Sequence, residues 1–191
     1  MTATATVALE LTAEQWTALP EDEPGELVHG QLAEEEVPDL VHEIIVVWFT
    51  ATLRAWLGKR GFVAGSEVKF TLGPRLGRKP DVSLFLKTEG RPPRRGAIRS
   101  PPHLMIEVIS AGSRDVRRDR IDKPSEYASF GLNHLWLVDP DARTLECFAL
   151  GPDGLYVRSF AASEGTIEVP GFDGLVLDLD ALWEETDELG E

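Results

Sequence analysis

Residues 103–110 read His-Leu-Met-Ile-Glu-Val-Ile-Ser, an apolar run that contains one charged residue, Glu107. The length of the run and its branched side chains predict a strand inside a sheet. Because side chains alternate between the faces of a strand, Glu107 shares one face with Met105 and Ile109, and the opposite face is wholly apolar. A carboxylate there is costly to desolvate unless a cation or hydrogen bonds compensate. The functional hypothesis is that Glu107 holds a cation; the alternatives are an ion pair with an arginine or a face that meets solvent.

A second carboxylate opens another apolar segment, Asp81–Leu86. Asp81 follows Pro80, and most Pro-Asp pairs cap a turn, so this residue alone is a weak signal. On adjacent strands, however, Asp81 and Glu107 would meet at one edge of the sheet. Two carboxylates suit magnesium, which takes oxygen ligands, keeps several waters and is commonly held by one or two carboxylates with a substrate phosphate. Such an ion activates water and neutralises charge on a scissile phosphate.

The remaining pattern predicts an α/β chain of the mixed α+β kind. Helices are predicted over residues 11–20, 39–61 and 115–130. Strands are predicted over residues 26–32, 62–72, 81–86, 103–110 and 134–138, then a hairpin of 144–150 and 155–160, with loops over 73–79 and 90–102. This order indicates a central mixed sheet flanked by helices, with a C-terminal β-hairpin. The length predicts a single domain over 1–191, with a core of about 11–183 and short flexible termini.

Charge is unevenly distributed along the chain. The net charge of −14 argues against a protein that binds nucleic acid. Between Arg54 and Lys123, however, the chain has 17 basic and 7 acidic residues, whereas the rest of the chain has 2 basic and 26 acidic residues. The basic segment is either a phosphate-facing surface or a set of arginines that pair with distant carboxylates.

Several classes of protein are disfavoured by composition. A single cysteine, Cys147, excludes an internal disulfide and a cysteine-based zinc cluster. No stretch approaches the roughly 18 apolar residues of a membrane span, and residues 1–9 lack the basic and apolar blocks of a signal peptide. We therefore expect a cytoplasmic protein that does not bind membranes.

A third candidate group lies on the helix predicted over 115–130. Asp119, Lys123 and Tyr127 are four residues apart and share one face if the helix is continuous. By itself this spacing favours an exposed ion pair between Asp119 and Lys123. Pro124 predicts that the helix begins near Lys123 or breaks there, since the residue before a proline avoids helical geometry.

Six segments in a fixed order carry a resemblance to a known family. They are Glu26–Gly30, His42 at the start of a helix, Arg78–Ser83, Leu104–Ser110, the series Asp119, Lys123, Tyr127 and Gly131, and Leu135–Pro140. In this order they resemble the Uma-two family, bacterial restriction endonucleases of the PD-(D/E)XK superfamily. The closing segment Pro170–Trp183 also looks like that family, so the resemblance spans about residues 11–183.

The resemblance implies a restriction-endonuclease-like core that hydrolyses DNA phosphodiester bonds with a divalent metal. It assigns Asp81 and Glu107 to the metal, which is magnesium or alternatively manganese. In the superfamily a lysine stands two residues after the second acid, a place that Ile109 holds here, and Lys123 matches the family's substitute. Glu26 matches an early acid of the family. His42 and Tyr127 match recurrent positions of no derived role. Apart from the resemblance, we expect basic residues of the loops to contact nucleic acid, namely Arg78, Lys79, Arg94, Arg95 and Arg117.

Three functional hypotheses follow. The first is a magnesium-dependent endonuclease in which Lys123 stabilises charge or positions water. The second is a catalytically inactive nuclease fold that serves as a nucleic-acid-binding or interaction module, which Pro124, Ile109 and the acidic net charge favour. The third is an enzyme acting on another phosphate ester. DNA is the expected partner, and a homodimer through the rims of the C-terminal hairpin is a further hypothesis, since two active sites would cut both strands.

Overall fold

The structure is a computed structural model that describes residues 10–20, 25–33, 38–110 and 117–190. The strands are β1 Glu26–Val28, β2 Gln31–Ala33, β3 Gly61–Ala64, β4 Phe70–Gly73, β5 Leu76–Arg78, β6 Val82–Leu86, β7 Leu104–Val108, β8 His134–Asp139, β9 Thr144–Leu150, β10 Tyr156–Ala162, β11 Thr166–Glu168 and β12 Val176–Asp178. The helices are α1 Ala13–Thr17, α2 Leu40–Leu57, α3 Lys123–Phe130 and α4 Leu179–Asp187, and a π-helical turn, Arg118–Asp122, leads into α3.

A six-stranded mixed sheet forms the centre of the molecule, as predicted. Its strands lie in the order β10-β9-β8-β7-β6-β3, and β7 and β8 are its parallel pair. A four-stranded antiparallel sheet has the order β2-β1-β5-β4, and β11 pairs with β12. The predicted C-terminal hairpin is β9 and β10. Helices cover both faces of the large sheet, so the predicted architecture is confirmed.

The two faces of β7 meet different surroundings. Leu104, Ile106 and Val108 point into the larger core cluster, where helices α2 and α4 pack on the sheet. Met105 and Ile109 point to the other face, into a cluster that includes Tyr127 of α3. The predicted alternation is therefore confirmed, and Glu107 lies on the α3 face.

Helix α2 begins as the sequence predicts but ends earlier. The Asp39 side chain accepts a hydrogen bond of 2.8 Å from the His42 backbone and caps the first turn. The helix ends at Leu57, because Gly58 adopts a positive φ of 55°. The predicted extension to Gly61 is wrong: Gly61 begins β3, where an added Cβ would lie 2.0 Å from a backbone oxygen of Phe85.

Helix α2 contradicts the expectation that no stretch of the chain approaches the length and apolarity of a membrane span. Its 18 residues are long and apolar enough, by length and composition alone, to cross a membrane. In the structure its inner side packs on the sheet through Phe49, Leu53 and Leu57. Its outer side carries Leu40 and Val47, each 64% exposed.

Three segments differ from their predicted structure. Residues 62–72 form two strands, β3 and β4, in separate sheets. The predicted loop 73–79 contains β5, whose Gly77 lies so close to Trp16 that a Cβ would be 2.3 Å from the indole ring. The predicted strand 26–32 is the hairpin of β1 and β2, because His29 and Gly30 both have positive φ, the geometry of a tight hairpin turn.

Candidate active site

A pocket of about 100 Å³ lies where the start of α2, the start of β6 and the end of β7 meet the π-helical turn. Its walls include His42, Asp81, Val108, Asp119 and Lys123. Three of these were singled out from the sequence as site residues, so segments far apart in the chain converge here.

Asp81 is held at the pocket wall by two contacts. Its Oδ2 accepts a hydrogen bond of 2.7 Å from the Val108 backbone, and its Oδ1 lies 3.3 Å from Nε2 of His42. Val82 pairs with Ile106 in the antiparallel register, so Asp81, one residue earlier, stands beside Glu107 across the two strands. The adjacency predicted for these carboxylates is present.

Glu107 is buried beneath the pocket, and both of its carboxylate oxygens accept hydrogen bonds. Lys123 Nζ donates to Oε2 at 2.6 Å, and the Tyr127 hydroxyl donates to Oε1 at 2.5 Å. Burial raises the pKa of Glu107 to about 8; Lys123 opposes the shift, and the negative charges of Asp81, Asp119 and Glu26 add to it. Burial therefore favours the neutral form of this carboxyl more than in an ordinary glutamate, and an added cation would favour the charged form.

Lys123 is the central cation of the site. Its Nζ also lies 3.3 Å from Oδ1 of Asp119, and both side chains are buried, so the exposed ion pair that the spacing favoured is wrong. Burial alone would lower the pKa of Lys123, but Glu107, Glu26 and Asp119 raise it above its ordinary value. Lys123 is consequently a permanent positive charge and not a general base.

Pro124 does not break the helix that carries Lys123. The Lys123 backbone N–H donates to the carbonyl of Arg118, five residues earlier, and Lys123 itself is helical with φ −58° and ψ −46°. The wider π turn accommodates a proline that has no N–H to donate. Asp119, Lys123 and Tyr127 therefore share one face. Of the two predicted alternatives, a regular α-helix that begins at Lys123 is confirmed, and a break there is wrong.

Glu26 and Arg78 form a second, deeper layer of the site. Glu26 accepts from Nη1 of Arg78 at 2.5 Å and from the Lys79 backbone at 2.9 Å. Nε and Nη2 of Arg78 donate to Glu126 at 2.7 and 2.9 Å. Burial alone would raise the pKa of Glu26, but Lys123 and Arg78 lower it. With Arg78 only 1% exposed, the prediction that it contacts nucleic acid is wrong.

The other predicted positions are distributed around the pocket. Lys79 is buried and its Nζ donates to Glu67 at 2.7 Å, beside the pocket opening. Arg117 is exposed next to the π-helical turn, and Arg94 and Arg95 are exposed in the loop before β7, away from the pocket walls.

His42 adjoins Asp81, and its Nδ1 is buried without a hydrogen-bond partner in the described structure. Burial alone would lower its pKa, but the hydrogen bond and charge of Asp81, with the charge of Glu43, raise it. His42 is therefore a positively polarised neighbour of the first carboxylate, and its second ring nitrogen, Nδ1, lies 3.7 Å from Oε1 of Glu43.

Two site residues were missed by sequence reasoning. Asp119 was recognised in the series with Lys123 and Tyr127 but was given no site role, and Glu126 was not considered. Asp119 is 1% exposed and also accepts from Arg118 at 3.0 Å. The i, i+4 spacing of Asp119 and Lys123 was a usable signal, whereas Glu126 is identified only by its contact with Arg78, 48 positions away.

The donor set fits a hard cation that is held by few protein ligands. Asp81 and Glu107 offer adjacent carboxylates, and because burial raises the pKa of Glu107, an added cation would stabilise its charged form. Among the residues that the structure describes, no group of three or more His, Cys, Asp or Glu side chains is arranged to hold a metal. The arrangement suits magnesium with water and phosphate ligands and does not suit a closed zinc site.

Comparison with known proteins agrees with this geometry. The family Uma2, described as "Putative restriction endonuclease", matches residues 12–180. A crystal structure described as "a putative nuclease belonging to DUF820", from Anabaena variabilis, matches with a TM-score of 0.71 and 21% identity, over 92% of this chain and 99% of that chain. At that identity the likeness shows a shared fold. No protein in a comparison with curated proteins matches the chain.

Proposed function

Because the chain belongs to the Uma2 family, described as "Putative restriction endonuclease", we propose that it is a divalent-metal-dependent endonuclease that hydrolyses DNA phosphodiester bonds. The observation that carries the proposal is the pocket lined by Asp81 and Lys123, with Glu107 buried beneath it on the strand next to Asp81 and hydrogen-bonded to the Lys123 ammonium. The site therefore combines oxygen ligands with a fixed positive charge, as phosphoryl transfer requires.

Asp81 and Glu107 would hold the ion, with magnesium as the first candidate and manganese as the second. When bound, the ion supplies an activated water and neutralises charge on the phosphate. The low number of protein ligands leaves positions for water and for a substrate oxygen.

The chain's own residues position and charge the pocket. The Val108 N–H and His42 fix both oxygens of Asp81, so this carboxylate has one orientation. Lys123 lines the pocket, and its fixed charge would stabilise negative charge on a phosphate in that space. In the free protein the same ammonium holds Glu107, so ligand binding requires these groups to exchange partners.

One observation favours the competing function, a nuclease fold without catalysis. Both oxygens of Glu107 are hydrogen-bonded within the protein, to Lys123 and Tyr127, which is a self-sufficient structural arrangement. A binding module of this kind would interact with nucleic acid independently of magnesium. The two functions therefore differ in their dependence on metal.

The test is cleavage of supercoiled plasmid by purified protein in magnesium, in manganese and in EDTA. The endonuclease proposal predicts nicking by wild type only with metal, and none above background by Asp81→Asn or Glu107→Gln. Asp141→Asn, which changes an exposed turn carboxylate outside the pocket, is the matched control and should cut like wild type. Nicking that persists in both pocket variants, or none by wild type in either metal, would contradict the proposal.

A further inference from the structure

A groove beside the pocket combines positive charge with apolar walls. It encloses about 1010 Å³, and its lining includes Phe62, Phe85, Arg91, Arg94, Arg95 and Ile98. That volume is at or above the upper end of the about 300–1,000 Å³ of small-molecule pockets. The groove therefore has room for a ligand longer than one small molecule.

The groove adjoins the candidate active site. Ser66 and Glu67 line both the groove and the pocket that contains Asp81 and Lys123. The carboxylate of Glu67 is paired with Lys79 at 2.7 Å, so its negative charge is balanced where the two spaces meet. A chain of phosphates that lies in the groove can thus continue into the pocket.

The basic side of the groove is held in place by its own loop. The arginines belong to the segment 91–98, which ends at Ile98. The Ile98 backbone exchanges hydrogen bonds of 2.9 Å with Lys69 and Thr71 on either side of Phe70, so this end of the loop is fixed to β4.

The arginines of this segment are available to a ligand. Arg91, Arg94 and Arg95 are exposed, and within the described ranges none has a carboxylate partner. In a chain of net charge −14, a cluster of exposed arginines that no acid of the described residues neutralises is a specific complement to an anion.

The apolar side of the groove offers a surface for bases. Phe62 is 41% exposed, and the ammonium of Lys87 lies 5.3 Å from its ring centroid. A duplex presents phosphates but keeps its base faces stacked inside, so it would satisfy the arginines and leave Phe62 unused. An unpaired strand satisfies both, because its phosphates pair with arginines while its bases stack on an aromatic ring.

We propose that this groove binds an unpaired nucleic-acid strand and leads it to the pocket, so that the substrate is single-stranded or locally unpaired next to the bond that is cut. The inference rests on the proposed function for what happens in the pocket. The binding itself is independent of catalysis and is measured without metal.

The experiment is fluorescence anisotropy in EDTA, with a labelled oligothymidine of about 16 nucleotides, the upper range of strand that one small domain covers, and a duplex of equal length. Wild type should bind the single strand more tightly than the duplex. Arg94→Ala/Arg95→Ala should weaken oligothymidine binding at least about tenfold and reduce the slope of log affinity against log salt by about 1.4, since each phosphate contact contributes about 0.7.

Phe62→Ala should weaken oligothymidine binding by about fivefold or more through a lost stack, whereas Phe62→Tyr, which keeps an aromatic face, should bind like wild type. Arg99→Ala/Arg158→Ala removes two exposed arginines that do not line the groove and is the charge control. Circular dichroism checks that each variant is folded.

Equal losses in the charge control, tighter binding of the duplex, or no effect of Phe62→Ala would each overturn the proposal. Failure of the proposed function gives a different result: groove-dependent binding of the single strand in EDTA with no metal-dependent cleavage of any DNA. Metal-dependent cleavage without groove-dependent binding refutes the groove alone.

Discussion

The two faces of strand β7 differ in what they contribute. On the α2 face, Leu104, Ile106 and Val108 join an apolar cluster that needs only close packing. On the α3 face, Glu107 replaces one apolar side chain and is surrounded by Lys123 and Tyr127. The same strand therefore stabilises the fold through one face and carries the candidate chemistry through the other, so substitutions should separate stability from activity according to face.

The largest effect on stability should come from the α2 face. Phe49→Ala removes a fully buried ring that meets Trp136 edge-on, and should lower the free energy of unfolding by about 3–5 kcal/mol. Urea unfolding measures the loss, and the activity of the fraction that remains folded should be unchanged. Val47→Ala on the exposed side of the same helix should change stability by less than about 0.5 kcal/mol. Equal effects at the two positions would contradict the assigned packing.

Substitution of Arg78 tests whether buried ion pairs on the α3 face stabilise the fold. Arg78→Met leaves Glu26 and Glu126 without their cation and should destabilise the protein by about 3–5 kcal/mol in the same assay. Arg158→Met, which removes a largely exposed partner of Glu146, should cost no more than about 1 kcal/mol. A stable Arg78→Met protein that had lost only DNA affinity would restore the role that the sequence assigned to Arg78.

Glu107→Gln should separate activity from stability most clearly. The amide keeps the shape and an oxygen for Tyr127 but removes the charge, so metal-dependent cleavage should fall at least about a hundredfold. Because burial raises the pKa of Glu107, its charged form contributes little to stability, and the variant should unfold at nearly the wild-type urea concentration. A loss of stability as large as that of Phe49→Ala would make Glu107 a structural carboxylate.

A smaller effect is expected at Tyr127. Tyr127→Phe keeps the ring in the second core cluster but removes the hydroxyl that donates to Glu107, and should cost about 1–3 kcal/mol because a buried acceptor loses its partner. Urea unfolding of Tyr127→Phe and of the double variant with Glu107→Gln gives the coupling between the two groups. Additive effects would show that the hydroxyl does not stabilise the carboxylate.

The features that depend on one segment were accessible from the sequence. The apolar period of α2 and its Asp39 cap predicted that helix, and the alternation of β7 placed Glu107 on the correct face. Each of these patterns is set by residues a few positions apart. Strand β5 was missed because its Gly77 packs directly against the Trp16 ring, and a contact between residues so far apart leaves no local sequence pattern.

Sequence patterns did not predict ion pairs between residues that are far apart in the chain. Arg78 looked like a surface arginine because its partners, Glu26 and Glu126, are 52 and 48 positions away. The geometry of Lys123 was mispredicted for a different reason. Lys123 has helical φ and ψ although it precedes a proline, and Pro124 is tolerated because it lies in the first turn of α3.

The proposed function requires that Asp81 and Glu107, on the α3 face, bind a divalent ion. The pKa of Glu107, raised to about 8, implies that below this pH an ion must displace a proton, so affinity should increase as the pH rises towards 8. Proton release is therefore a signature that a metal bound elsewhere on the surface would lack.

The most direct measurement is calorimetric titration of manganese into wild type and Glu107→Gln near pH 7, in two buffers of different ionisation enthalpy. We expect manganese to bind wild type with an observed enthalpy that depends on the buffer, because the proton released from Glu107 is taken up by the buffer. We expect no binding to the variant. Binding that is unchanged in Glu107→Gln, or no binding to wild type at any pH up to about 8, would contradict it.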